Sequence, residues 1–221
     1  MLDTICDVLK AAYERTWIST RDGNASYRRK HEPFIYVTPS GVRKQHLNSE
    51  MMLKLRLPKI VQHDVDLVDV ECERVDDDIQ NKIIGLQPTG ELKLHVLLQQ
   101  IVPHNRVVLH LHPTYVIAAM YAGLDLPTLA KEFPEINRYT RVGPTVPVIP
   151  PISKELALAT IDKFNLNKET GEVDFDIIGL DRHGIISIAK DAWTAFEHLE
   201  RLEHICKIAL TALSSKQNHT E

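Results

Sequence analysis

Two histidines one residue apart, His110 and His112, close the apolar run Val107-Val108-Leu109, and this hexad constrains the chain more than any other segment. In a strand, residues two apart project from the same face, so both imidazoles point toward one region of space. If the distant Arg182-His183-Gly184 folds back beside them, three imidazoles meet. Zinc and similar divalent ions bind neutral imidazole nitrogen at roughly 2.0–2.1 Å, and three protein ligands leave a fourth position for water or substrate. Taken alone, the pair reads equally well as chance neighbours at the end of a buried strand.

The rest of the composition narrows the classes open to such a site. A chain of 221 residues, 43% hydrophobic and 25% charged, suits one domain with a substantial core. We read residues 1–214 as that domain and 215–221 as a polar tail. A formal charge of −4 gives no electrostatic reason for a nucleic-acid partner. The apolar stretches are broken by charge or proline well short of the ~18 residues of a membrane span. The first 17 residues lack the positive start and apolar centre of a secretory signal, so no membrane association and a cytoplasmic location are expected. Cys6, Cys72 and Cys206 form an odd, widely spaced set that reads as reduced thiols. None has a CxxC neighbour, which argues against a thiolate zinc site.

Periodicity places the hexad among other elements. Leu2, Ile5, Cys6, Leu9 and Tyr13 recur at helical spacing, predicting an amphipathic helix over about 2–18. After the turn Asp22-Gly23-Asn24, Ala25–Arg29 and Phe34–Val37 read as two short strands, and 51–57 with 66–73 as a further pair. Thr38-Pro39-Ser40-Gly41 ends the second strand with residues that expose backbone N–H groups, and Asp76-Asp77-Asp78 reads as a solvated loop. Glu91–Ile101 has the composition of a buried helix, closed by Pro103. Pro113 sits where a helix over 114–121 begins, and the proline-rich 144–151 stretch can only be an edge strand or an extended connection. Ser153 opens a helix to about Phe164, Asp176–Leu180 and Gly184–Ala189 read as strands, and Asp191 caps a long helix to about Leu213. Helices interleaved with hairpin-joined strands argue for a helix-flanked mixed sheet.

Gly23-Asn24-Ala25-Ser26, Thr38-Pro39-Ser40-Gly41, Pro88-Thr89-Gly90-Glu91 with His95, His110-Leu111-His112-Pro113 and His183-Gly184 follow one another along the chain. In order and residue choice, over roughly residues 5–210, they resemble the class II aldolase/adducin family. That family includes fuculose-phosphate and rhamnulose-phosphate aldolases, ribulose-phosphate 4-epimerase and methylthioribulose-phosphate dehydratase. The resemblance implies an α/β fold, three layers α/β/α around a mostly antiparallel sheet. It also implies a homotetramer with active sites between subunits. A divalent metal, commonly Zn2+ with Mn2+, Co2+ or Fe2+ as alternatives, would be held by His110, His112 and His183.

Chemistry can be built beside the resemblance. A metal in a three-histidine site can take both oxygens of a hydroxy-ketone and stabilise an enediolate, which carbon–carbon cleavage of a ketose phosphate requires. Cleavage also needs a base, and Glu91 is the candidate. The family's aldolases carry glutamate here and the epimerase aspartate, which tilts the choice toward cleavage or dehydration. Glu91 also reads as a helix N-terminal carboxylate favoured by the dipole, and the two roles are compatible. Asn24, Ser40, Gly41 and Thr89 match the family's phosphate contacts, whereas Gly90 takes a place often held by serine. The missing hydroxyl leaves open a weaker phosphate site, a shifted anion or a carboxylate in its stead. Read without the family, Thr38-Pro39-Ser40-Gly41 is a plain turn.

For the acid that the family draws from a neighbouring subunit we choose Tyr139; the matched position is Lys131, with Glu132 and Glu135 nearby. Tyr139 reads equally as a surface or interface tyrosine. His95, one helical turn after Glu91, could reach the metal's surroundings or orient the carboxylate. His104, His198 and His204 carry no pattern, and the acidic 62–84 stretch reads as an interface hairpin or a substrate-side loop. The expectation is a metal-dependent aldolase that cleaves a ketose phosphate, or a close analogue, to dihydroxyacetone phosphate or a similar fragment and an aldehyde. The rivals are a dehydratase, epimerase or decarboxylase on a sugar phosphate or sugar acid at the same metal site, a structural metal site, and a non-catalytic adducin-like binding module. Three retained histidines with Glu91 argue against the binding module, and the lack of a cysteine ligand argues against a structural site.

Overall fold

Local sequence explains most of the elements. A computed structural model describes residues 1–30, 32–57, 85–101, 107–165, 167, 170 and 172–217. The expected strand at 66–73, the Asp76–Asp78 loop, the acidic 62–84 stretch, Cys72 and His104 fall outside the described residues or largely so. Helix α1 (Leu2–Glu14) buries Ile5, Cys6, Val8, Leu9 and Ala12. It ends four residues before the expected Ile18 because Thr16 takes a left-handed turn, φ 60°, and Trp17 and Ile18 drop into the core. Strands β1 (Asn24–Tyr27), β2 (Phe34–Val37) and β3 (Leu53–Arg56) follow. Between β2 and β3 run two short 3-10 turns, Lys44–His46 and Ser49–Met51, that periodicity does not reveal.

Helix α2 (Leu92–Ile101) leads to β4 (Val107–Leu111), which carries the histidines, and to α3 (Thr114–Tyr121). Pro113 offers no side-chain cap to α3. The carboxylate of Glu203 takes the Tyr115 and Val116 N–H groups instead, at 3.1 and 2.8 Å, which satisfies two of the donors a helix start leaves open. Two short helices absent from the sequence reading, α4 (Leu126–Lys131) and α5 (Pro134–Tyr139), follow; Asp125 caps the first through Thr128 N–H. Helix α6 (Lys154–Lys163) is capped by Ser153, as expected. The hairpin β5 (Ile177–Leu180) and β6 (Gly184–Ala189) precedes α7 (Ala192–Gln217), where Asp191 accepts from Thr194 N–H at 2.9 Å.

The six strands form one sheet in the order β3-β2-β1-β4-β6-β5, every neighbouring pair antiparallel. Val142 and Val146 add single parallel bridges to β5, so the proline-rich segment is the extended edge connection its composition demands. β4 is buried along its whole length, and its pleat divides the molecule. Val107, Leu109 and Leu111 pack with α1, α3 and α7, whereas Val108 packs with α2 and α6. Helices on both faces of a mostly antiparallel sheet make the α/β/α three-layer fold. Period-two alternation puts His110 on the Val108 face, the side of α2. On β1 the same rule sends Ala25 to the α7 side and leaves Asn24 and Ser26 facing α2.

Candidate active site

The site lies where α2 begins, above the centre of the sheet. Asn24 is the cross-strand partner of His110, and Ile185 the partner of Leu111, so β1 and β6 flank the histidine strand in fixed register. The tight β5–β6 turn, with Arg182 at φ 55°, returns His183 to the end of β4. Gly184 is what lets it come so close. A Cβ at 184 would stand 2.8 Å from His112 Cδ2 and 3.2 Å from His110 Cε1, and would overlap the Leu111 carbonyl oxygen.

The three imidazoles therefore meet. One nitrogen from each of His110, His112 and His183 lies within 4.8 Å of the others, and the Nε2 atoms of His110 and His112 are 2.9 Å apart. His110 Nδ1 donates to Ile185 O at 2.8 Å, which fixes the ring and leaves Nε2 as the lone-pair nitrogen. Burial, reinforced by the neighbouring imidazoles, pushes His110 and His112 down to about 3, so both are neutral at ordinary pH. Neutral imidazole is the ligand form, and a cluster of three beside a carboxylate fits a divalent cation with an open position. Glu91 is that carboxylate. It is 7% exposed, with Oε2 at 3.2 Å from His110 Nε2 and Oε1 at 3.5 Å from His183 Nε2.

A cavity of about 200 Å³ opens onto this cluster. All of the expected binding residues, Asn24, Ser40, Gly41, Thr89 and Gly90, line it together with Glu91 and the three histidines. The two loops that carry all of these but Asn24, which stands on β1, are pinned to each other: Ser40 N–H donates to Gln87 O at 2.7 Å and Thr89 N–H to Thr38 O at 3.0 Å. This corrects the expectation that the Thr38–Gly41 turn exposes its backbone donors, since the Ser40 N–H is spent on the neighbouring loop. The donors that still face the cavity are the Ser40 and Thr89 hydroxyls, the Asn24 amide and the N–H groups of Gly41, held at φ 73°, and Gly90.

Three further lining residues escaped the sequence reading: Arg21, Lys44 and Ile152. Lys44 is 1% exposed; its Nζ donates to Arg21 O at 3.0 Å and Val42 O at 3.3 Å. Desolvation pushes its ammonium down to about 8, with Asp22 opposing. No periodic signal marks a lysine as buried. Ile152 adopts φ 66°, an outlier for a β-branched residue, and its Cδ1 would lie 3.0 Å from a Cβ built on Gly90. A serine at position 90 thus requires Ile152 to yield, and the left-handed isoleucine within an otherwise ordinary Pro-Pro-Ile-Ser turn could not be read from spacing.

Other expectations are placed elsewhere. His95 does not reach the imidazole cluster; it bonds Asn24 and Ser26, and Asn24 in turn bonds Glu91. Tyr139 sits half-exposed on α5 with the Arg138 and Arg201 guanidinium groups over its ring, outside the cavity of its own chain. His198 is a satisfied core histidine bonded to Thr140 Oγ1 at 2.8 Å, and His204 lines a separate recess. Cys6 and Cys206 are buried free thiols, each pushed up to about 12 by desolvation. Among the described residues no helix is long and apolar enough to cross a membrane.

Comparison with known proteins sets this geometry in context. Residues 3–210 match the family described as Class II Aldolase and Adducin N-terminal domain. A protein of Methanococcus vannielii named L-fuculose phosphate aldolase is 28% identical over 204 residues, 92% of this chain and 91% of its own. The solved sugar-phosphate aldolase of Thermotoga maritima superposes with a TM-score of 0.71 at 20% identity, covering 96% of this chain and 94% of that one. An L-fuculose-1-phosphate aldolase from Thermus thermophilus gives 0.69 at 18% identity, covering 97% and 95%.

Proposed function

Because the chain belongs to the class II aldolase and adducin N-terminal domain family, we propose that it is a metal-dependent aldolase that cleaves a ketose phosphate, or a close analogue, into a three-carbon hydroxy-ketone phosphate and an aldehyde. One observation carries the reading. Both oxygens of a buried carboxylate, Glu91, face the ring nitrogens of His110 and His183 at the floor of a cavity whose rim is made of small and hydroxyl-bearing residues. The relative named L-fuculose phosphate aldolase supports a phosphorylated sugar as the substrate class.

His110, His112 and His183 would hold the metal, Zn2+ or another divalent cation, which when bound supplies Lewis acidity toward the oxygens of a hydroxy-ketone. The remaining work falls to the protein. Ser40, Gly41, Thr89 and the Asn24 amide hold the anionic end with neutral donors, backed by the buried Lys44 ammonium. Glu91 moves the proton: it takes one from the carbon beside the carbonyl when the fragments join, and returns it to the enediolate carbon when the ketose is cleaved. The burial of Glu91, 7% exposed, strengthens each charge interaction that it makes there. The proton of the hydroxyl that becomes the aldehyde is assigned to Tyr139 of a second copy, whose phenolic oxygen takes it as the ketose is cleaved and, as the acid, returns it to the aldehyde oxygen when the fragments join; this makes a homo-oligomer, a tetramer in this reading, part of the active unit.

The test combines metal analysis of the purified protein with a screen of ketose phosphates, scoring aldehyde release against isomerisation and loss of water or carbon dioxide. Cleavage that disappears together with bound metal in His112→Ala is the expected result. Isomerisation or loss of water or carbon dioxide in place of aldehyde release would move the chain to another reaction on the same centre. An inactive His112→Ala protein with full metal occupancy would overturn the ligand assignment.

A further inference from the structure

We propose that His95 is a positioning residue: acting through Asn24, it holds Glu91 in its working orientation and ties the carboxylate to the anion-binding side of the cavity, which Asn24 lines from the start of β1. The inference rests on the reading of Glu91 as the base, and its evidence is a chain of buried hydrogen bonds that runs in one direction only.

Glu91 is an acceptor, so the Asn24 group 3.3 Å from its Oε2 is the amide nitrogen, which donates. That leaves Asn24 Oδ1 facing His95 Nε2 at 2.5 Å, and a carbonyl oxygen there demands a proton on Nε2. A neutral imidazole then presents Nδ1 as an acceptor, and Ser26 Oγ, 2.8 Å away, must donate to it. Ser26, its own proton used, accepts from Gln99 Nε2 at 3.0 Å. Every group from Gln99 to Glu91 thus has its role set by the next. A protonated His95 would break the order, because Ser26 would then receive two N–H donors and its hydroxyl proton would lose its acceptor.

Burial makes the order rigid. Ser26 and His95 are fully buried and Gln99 is 1% exposed, so none of these three can trade its partner for water. Desolvation pushes His95 down to about 4, in keeping with the neutral tautomer. Asn24 is the junction: one amide N–H goes to Glu91, and among the described residues the other has no protein partner while Asn24 lines the cavity. An anion seated against that N–H and the carboxylate that moves the proton therefore share one side chain, whose rotation His95 prevents.

Two variants separate positioning from mere packing. His95→Leu keeps the bulk and removes the donor, whereas His95→Gln restores an N–H close to the position of Nε2. On the ketose phosphate found in the screen, with metal content verified, His95→Leu is expected to lose about 10- to 100-fold in kcat with KM changed far less, and His95→Gln to recover most of the loss. Equal losses in Leu and Gln, or no loss in Leu, would overturn the proposal. A second readout needs no substrate. In nitrogen-15 spectra of the metal-loaded protein, His95 should appear as the Nε2–H tautomer and stay neutral across the range of about pH 5–8 in which free imidazole titrates. The Asn24 side-chain amide signals should shift in Glu91→Gln. An Nδ1–H tautomer, an imidazolium at pH 6, or unmoved Asn24 signals would refute the hydrogen-bond chain even if cleavage is found, and a wild-type protein that cleaves nothing would refute the aldolase reading while these spectra still judged the chain.

Discussion

Gly184→Ala adds one methyl group where β6 begins, and the structure says what that carbon meets. It would stand 2.8 Å from His112 Cδ2, against about 3.5–4.0 Å for an ordinary carbon contact, and would overlap the Leu111 carbonyl oxygen, which is locked in the β4–β6 ladder. Neither neighbour is the free end of a flexible side chain. Relief requires the first residues of β6 to move outward by close to 1 Å, the difference between those contact distances. The forced insertion should remove about 1–3 kcal/mol of stability, which for a chain of this size lowers Tm by roughly 3–10 °C. The same movement carries His183 with it, because His183 is the adjacent residue, and a ligand bond of about 2.1 Å does not tolerate a displacement of that size. Thermal unfolding and metal analysis on one preparation check both effects. A Gly184→Ala protein with wild-type Tm and full metal content would show that β6 yields freely and that close approach is not why a glycine stands there.

Further outcomes follow from the same geometry. Glu91→Gln should leave metal content intact and slow proton exchange at the substrate carbon by about 10²- to 10⁴-fold, measured by deuterium incorporation; unchanged exchange removes Glu91 from the base role. If Tyr139 serves the site of another copy, Glu91→Gln and Tyr139→Phe proteins, each inactive, should regain activity when their protomers are mixed and reassembled, and confirmed mixed oligomers without activity would dismiss it. His95 also gives a pH dependence. Its folded value of about 4 lies below the unfolded 6.5, so the unfolded chain binds its proton first as pH falls, and stability is lost between pH 6.5 and 4. The loss is about 3 kcal/mol, and His95→Gln should show that much less change in urea unfolding between those limits. Equal pH dependence in variant and wild type would contradict a neutral buried His95.

Periodicity locates an element best where one of its faces is wholly apolar. The stripe on α7 and the strands 34–37, 177–180 and 184–189 stand close to where spacing puts them, because burial forces the period. Periodicity is silent where turns are made by residues with no repeat: the 3-10 turns at 44–51, the short helices α4 and α5, and the left-handed Thr16 that ends α1 early. In the site, His110 and His112 announce themselves by alternation, but His183 needed the family resemblance, since its return depends on a hairpin 70 positions away. Lys44 and Ile152 gave no sign. Their positions are set by tertiary contacts, a pair of loop carbonyls for the lysine and a glycine on another loop for the isoleucine.

The surroundings of Glu91 are a different case, legible only in retrospect, because two unlike periods had to be laid against each other. Along α2 and its approach, Glu91, His95 and Gln99 recur every fourth residue, which places them on one helical face. Along β1, Asn24 and Ser26 recur every second residue, which places them on one sheet face. Each series by itself is an unremarkable scatter of polar residues in an apolar element. When α2 packs on β1 the two series interleave as Gln99, Ser26, His95, Asn24 and Glu91, and each supplies what the next lacks. A buried polar group left unpaired loses about 1–3 kcal/mol, so any one of these residues would be a liability without its neighbours. Their joint presence has two physical explanations, a set of mutually satisfied core polar residues or a scaffold for the carboxylate. The kcat of His95→Leu distinguishes them: a purely structural set would lower Tm while leaving the rate of the folded enzyme unchanged, whereas a scaffold must slow it.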